Sequence, residues 1–128
     1  MIISCTTNAG RLAFLKGELN SSLTYKLALY TKEANLGKKT AKYSSSGEVT
    51  GQGYEVKTLA TPTYGIDEDT DLAYLEFSEP LVWKGSTISA DGCMIFTDTL
   101  AVYTGAFGST VSSTNDSFTL TLPRINLK

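Results

Sequence analysis

From Leu23 to Tyr30 the side chains alternate: Leu23, Tyr25, Leu27 and Leu29 on one side, Thr24, Lys26, Ala28 and Tyr30 on the other. A period of two predicts a β-strand with one apolar face. Short segments of similar character follow at Tyr54–Leu59, Leu72–Phe77, Leu81–Trp83, Ile88–Ala90, Cys93–Asp98, Leu100–Thr104 and Ser117–Leu122. Cys93, Met94, Ile95 and Phe96 are apolar at successive positions, which predicts a central strand covered on both faces. In the last segment Phe118, Leu120 and Leu122 point inward. Between these runs lie turn-forming residues: Thr61-Pro-Thr-Tyr-Gly65, Ser78-Glu-Pro80, Asp91-Gly92 and the tight hairpin at Asp98-Thr99. Gly105–Asp116 reads as a loop crossing between sheets, and Arg124–Lys128 as a tail beyond Pro123.

The period changes once. Leu12, Leu15 and Leu19, with Phe14 beside them, follow helical spacing over residues 9–19. Thr7 or Asn8 can cap the start, and Gly17 weakens the end. This helix is expected to lay its leucines across the sheet. Short strands at regular spacing with turns between them define the expected fold class. It is a mainly β, antiparallel β-sandwich of jelly-roll type with one short N-terminal helix, a single domain over residues 1–128.

Composition agrees with sheet: 19% charged residues is low, and Thr, Ser, Gly and Tyr are plentiful. The net charge of −2 gives no bulk attraction to nucleic acid or to an anionic membrane. The charge is unevenly distributed, however. Residues 1–66 carry eight Lys/Arg against four Asp/Glu, and residues 67–128 carry three against nine. An antiparallel fold could interleave the halves and cancel this; otherwise basic and acidic faces would help copies meet in one orientation. Cys5 and Cys93 form no disulfide framework and are expected to be reduced thiols. No basic leader with an apolar run opens the chain, and no apolar run is long enough to span a bilayer, so a soluble chain made in cytoplasm is expected.

Candidate chemistry is sparse. The chain has no histidine, which removes Ser-His-Asp and Cys-His nucleophile systems and most zinc sites. Gly51-Gln-Gly53 opens like a dinucleotide fingerprint, but Val56 stands at the third glycine position and no helix follows. Asp67, Asp69 and Asp71 have the spacing that begins a calcium loop, yet Leu72 and Ser78 occupy the positions of its glycine and its final glutamate. The Asp67–Asp71 segment is then either a looser cation site or a solvated turn that blunts a sheet edge with charge. Lys38, Lys39 and Lys42 read as solvated loop residues rather than nucleic-acid contacts. Trp83, Tyr43, Tyr54 and Tyr64 could stack sugars in a carbohydrate-binding β-sandwich; the competing reading makes them core and corner packing, with Trp83 as a core anchor. No catalytic, cofactor-binding or metal residue is assigned, and an enzyme is not expected.

One stretch carries more than composition. Tyr43-Ser-Ser-Ser-Gly-Glu-Val-Thr-Gly-Gln-Gly-Tyr54 is bounded by aromatics and holds three glycines. The helix and the strand Tyr25-Lys-Leu-Ala-Leu-Tyr30 precede it. After it come Leu59 and Pro62, Phe77-Ser-Glu-Pro-Leu-Val-Trp83, Thr87-Ile-Ser-Ala-Asp-Gly-Cys-Met-Ile-Phe96 and Ser117-Phe-Thr-Leu-Thr-Leu-Pro123. In that order the chain resembles a group of small virion structural proteins of tailed bacteriophages. The likeness spans nearly the whole chain, and Gly47-Glu-Val-Thr-Gly-Gln-Gly-Tyr54 is its most specific part. It implies a multi-copy, non-enzymatic virion protein, either a capsid cement or decoration protein on major-capsid subunits or a tail, neck or fibre component. It further implies contacts with other virion proteins and with copies of itself, without cofactor, nucleic acid or membrane. The expected contact regions are the segment before the helix, the basic loop 31–42 and the tail from Arg124, each able to order on binding.

Overall fold

The computed structural model of the chain describes residues 1–18, 23–70, 72–77, 79–122 and 124–127. Eight strands and one helix follow in the order β1 (Cys5–Thr6), α1 (Asn8–Leu15), β2 (Lys26–Tyr30), β3 (Lys57–Thr58), β4 (Thr63–Asp67), β5 (Leu72–Glu76), β6 (Leu81–Phe96), β7 (Ala101–Leu120) and β8 (Ile125–Leu127). All pairings between these strands are antiparallel. They build a five-stranded sheet, β1-β7-β6-β2-β3, and a three-stranded sheet, β4-β5-β8. The mainly β, antiparallel architecture with one short helix is therefore as expected.

The centre is a hairpin longer than periodicity suggests. β6 and β7 pair from Leu81↔Leu120 to Phe96↔Ala101, so the segments expected separately at 81–83, 88–90 and 93–98 merge into one strand, which ends at Phe96 and leaves Thr97 and Asp98 to the connection. Asp91-Gly92 is not a turn. The Asp91 carboxylate accepts from the Lys32 backbone N–H at 2.9 Å and from the Thr110 hydroxyl, while the chain continues through both residues. Likewise 105–116 is not a crossing loop but the middle of β7. Its Ser and Thr side chains suit a pleated surface without marking a buried face. The mismatch in strand length is absorbed by register shifts, the largest where Asp91 alone opposes Phe107–Thr110.

Around β2, the end of β6 and the start of β7 both faces of the large sheet are covered. On one, Leu27, Leu29, Trp83, Ile88, Ile95, Val102 and Phe118 share a core with Leu75 and Phe77 from the β5 region and Ile125 of β8. That shared core joins the small sheet to the large one. On the other face Ala28, Tyr30, Met94, Phe96 and Ala101 are closed over by Ala34 and Leu36. The single apolar face expected for the 23–30 strand is thus two buried faces, because the 31–36 loop folds back as a lid.

Four local expectations are overturned. Tyr54–Leu59 forms a strand only at Lys57–Thr58. Thr61–Gly65, read as a break, leads into β4, whose residues are exposed or half-buried and so leave no apolar alternation. The tail is β8, paired to β5 through Leu75↔Ile125. Helix α1 turns its leucines outward: Leu12 is 53% and Leu15 86% exposed. Its buried residues are the small ones, Gly10 and Ala13, which bring its axis close to the sheet; Leu19 lies outside the described residues. Thr7 caps it, its Oγ1 accepting from the Gly10 N–H at 2.9 Å. Gly17, at φ 72°, ends it with Glu18 N–H bonded to Ala13 O at 2.8 Å.

Candidate binding surfaces

The segment that carries the resemblance is part of the scaffold. Tyr43 and Tyr54, its two ends, both donate their hydroxyls to the Glu48 carboxylate. Tyr54 Oη also accepts from the Leu29 N–H at 3.2 Å, and Val49 N–H donates to Leu29 O at 3.0 Å, which straps the segment to β2. Gly51 is pressed against β6, where a Cβ would lie 1.9 Å from the Thr87 carbonyl oxygen. Burial first, then the Glu48 carboxylate, raises the Tyr43 phenol from about 10 to about 12 and the Tyr54 phenol further. These groups hold the strap.

Trp83 is 1% exposed, its indole N–H donates to Glu55 O at 2.8 Å and its ring meets Phe118 edge-on at 5.7 Å. It is a core anchor, as one of the two sequence readings has it, and offers no face to a sugar. Cys5 and Cys93 are both free thiols. Cys93 is buried, and that burial pushes its thiol up to about 12.

At the acidic segment Asp67 Oδ1 accepts from the N–H groups of Asp69 and Thr70, at 3.0 and 3.3 Å, closing the β4–β5 turn. Asp71 lies outside the described residues. Among those described, no group of three Asp, Glu or Cys side chains is placed to hold a metal ion. Arg124 reaches Asp67 at 3.4 Å and Glu76 at 3.2 Å and stacks over Tyr74 at 3.9 Å. Among the described residues one ion pair, Lys26–Asp98, joins the basic half of the sequence to the acidic half; as an exposed pair it stabilises little.

The three expected contact regions are ordered by the chain itself. The N-terminal amine donates to Ala34 O and Asn35 Oδ1 at 3.0 and 2.9 Å, and Ile3 N–H and Leu36 N–H bond the opening residues to the 31–42 loop. Between them runs a cleft of about 650 Å³ with Met1, Ile3, Leu36 and Met94 as apolar lining and Lys38, Lys39 and Lys42 among its polar residues. The tail from Arg124 is docked as β8. Ordering on binding is therefore not needed at these places.

Two features escape the sequence reading. One is the outer edge of β7, since the composition of 105–116 suits a loop as well as a strand; its signal is that residues 101–120 carry a single charge, Asp116. The other is Arg11, to which the helical spacing assigns no role. Its Nε is buried without an acceptor among the described residues.

An antiparallel β scaffold with a long edge along β7 that lacks a strand partner among the described residues, and with cationic clefts, is the class these observations define. Among the described residues no helix is long and apolar enough to cross a membrane. Compared with known proteins, the chain matches no family model, no curated protein and no solved structure.

Proposed function

We propose that this chain is a non-enzymatic structural protein of a bacteriophage virion, a capsid cement or decoration protein that binds across neighbouring major-capsid subunits and stabilises the shell. The observation that carries the reading is the edge of β7. From Val111 to Leu120, beyond the bulge at Phe107–Thr110, this strand pairs with β6 on one side and has no strand partner on the other among the described residues, because β1 ends its pairing at Thr104. An edge of this kind is normally guarded by lysines, proline or bulges; beyond the 107–110 bulge Asp116 is the one charged residue. Such an edge can add a neighbour's strand through backbone hydrogen bonds. A shell repeats each site many times, so a modest contact per copy suffices to reinforce it. The sequence resemblance supports the same reading, and the scaffold role of the Tyr43–Tyr54 strap fits a protein that works by shape.

The test is the copy number of the chain in purified phage particles whose genome encodes it, by quantitative mass spectrometry. Shell decoration requires hundreds of copies. About six to a dozen, the count of a symmetric ring, would move the protein to the tail axis. Absence from intact particles would end the virion reading.

A further inference from the structure

We propose that the cleft between α1, the 31–42 loop and the start of β8 is an oxyanion site that takes a phosphate group. This inference does not depend on the particle reading. The cleft has a volume of about 320 Å³ and is lined by Ser4, Thr6, Arg11, Lys38, Tyr103 and Arg124 among others, with no acidic side chain among the described lining residues. Three cations therefore share one concavity. Arg124 is fixed there by its bonds to Asp67 and Glu76 and by Tyr74 beneath it. Arg11 and Lys38 have no acidic partner among the described residues.

Arg11 supplies the decisive detail. The Arg11 Nε is itself closed to solvent and without an acceptor among the described residues, so it is the two terminal nitrogens of this cleft-lining guanidinium that can form the fork that grips two oxygens of one phosphate. Lys38 adds a point charge, so two uncompensated cations meet a dianion. Ser4, Thr6 and Tyr103 line the same cleft as neutral residues, with Ser4 Oγ already accepting from the Ala106 N–H at 2.8 Å. Lys38 is also held in place: its carbonyl accepts from the Asn8 N–H at 2.8 Å, tying the loop to the start of α1.

The experiment follows the Arg Nε–H resonances of ¹⁵N-labelled full-length protein during titration with inorganic phosphate, ionic strength being held constant with chloride. The Arg11 signal is assigned by its loss in Arg11→Lys. The expected result is a saturable shift of that signal in the wild type and about tenfold weaker phosphate binding in Arg11→Lys, since an ammonium cannot form the fork. Lys38→Gln, on an exposed loop, should weaken binding too and serves if the Arg11 variant misfolds. A parallel titration with thymidylyl-thymidine separates the sources: a phosphodiester should bind more weakly than the dianion. No shift at Arg11, an equal response to chloride alone, preference for the diester, or undiminished binding in a folded Lys38→Gln protein would each overturn the site.

Discussion

A methyl group on Gly51 would be driven into the Thr87 carbonyl oxygen, and the obstacle is backbone rather than a side chain able to swing away. Gly51→Ala is therefore expected to destabilise the fold by ~1–3 kcal/mol, the usual cost of overpacking, read as a lower denaturation midpoint at unchanged slope. Wild-type stability in this variant would mean that the strap does not lie on β6. The prediction also marks what single residues disclose in sequence. Three glycines between two tyrosines announce a close approach or a turn, but not which strand is approached. That information lies in the Gln52↔Thr87 bridge, a contact far along the chain. Nor does Glu48 stand out among thirteen acids until Tyr43 and Tyr54 are seen to share it.

At the scale of elements, what was legible followed from local periodicity, and what was not followed from long-range burial. The 93–96 run was recognisable as a doubly covered strand because all four residues are apolar. β8 was not, since a short segment after a proline carries no period, and its strand character comes from the free edge of β5. Ile125 nevertheless sits in the shared core at 1% exposure. Ile125→Ala should cost about 2–5 kcal/mol, the range for deleting a buried aliphatic chain, whereas Leu15→Ser should change stability by less than about 0.5 kcal/mol. Helical spacing alone ranks the two the other way: the leucine on the stripe and the isoleucine in a tail. Parallel urea titrations decide between them, and equal losses would show that α1 buries its leucine stripe after all. The outer edge of β7 escaped for a related reason, since a Ser/Thr-rich stretch has the same composition as strand or as loop. The cleft at Arg11 depends on three elements distant in sequence, so no local pattern could reveal it.

For the molecule as a whole, the buried phenols set how stability responds to alkali. No histidine titrates near neutrality, so the stability of this chain should show no histidine-linked change there. Tyr25 and Tyr30 are buried and their phenols are raised above the ordinary value of 10.0, chiefly by that burial. Tyr54 is raised by burial and by Glu48, and Tyr43 by the same causes to about 12. Below pH 10 both folded and unfolded chains keep these protons, and the native contribution is complete. Above it the unfolded chain releases them first, binds fewer protons than the native state, and stability falls as pH rises. Each fully buried phenol then removes about 1.4 kcal/mol per pH unit until its own native value is reached. Denaturant unfolding across pH 9 to 12, with phenolate absorbance recorded in parallel, should therefore show a steep loss beginning near pH 10. The absorbance of these tyrosines should rise only as the fold is lost. Glu48→Gln removes the charge that opposes ionisation of Tyr43 and Tyr54, so their native titration should move toward the ordinary value while that of Tyr25 stays in place. Stability that remained flat through this window, or phenolates forming at the ordinary value in a folded chain, would contradict the burial from which the shared core of the two sheets is built.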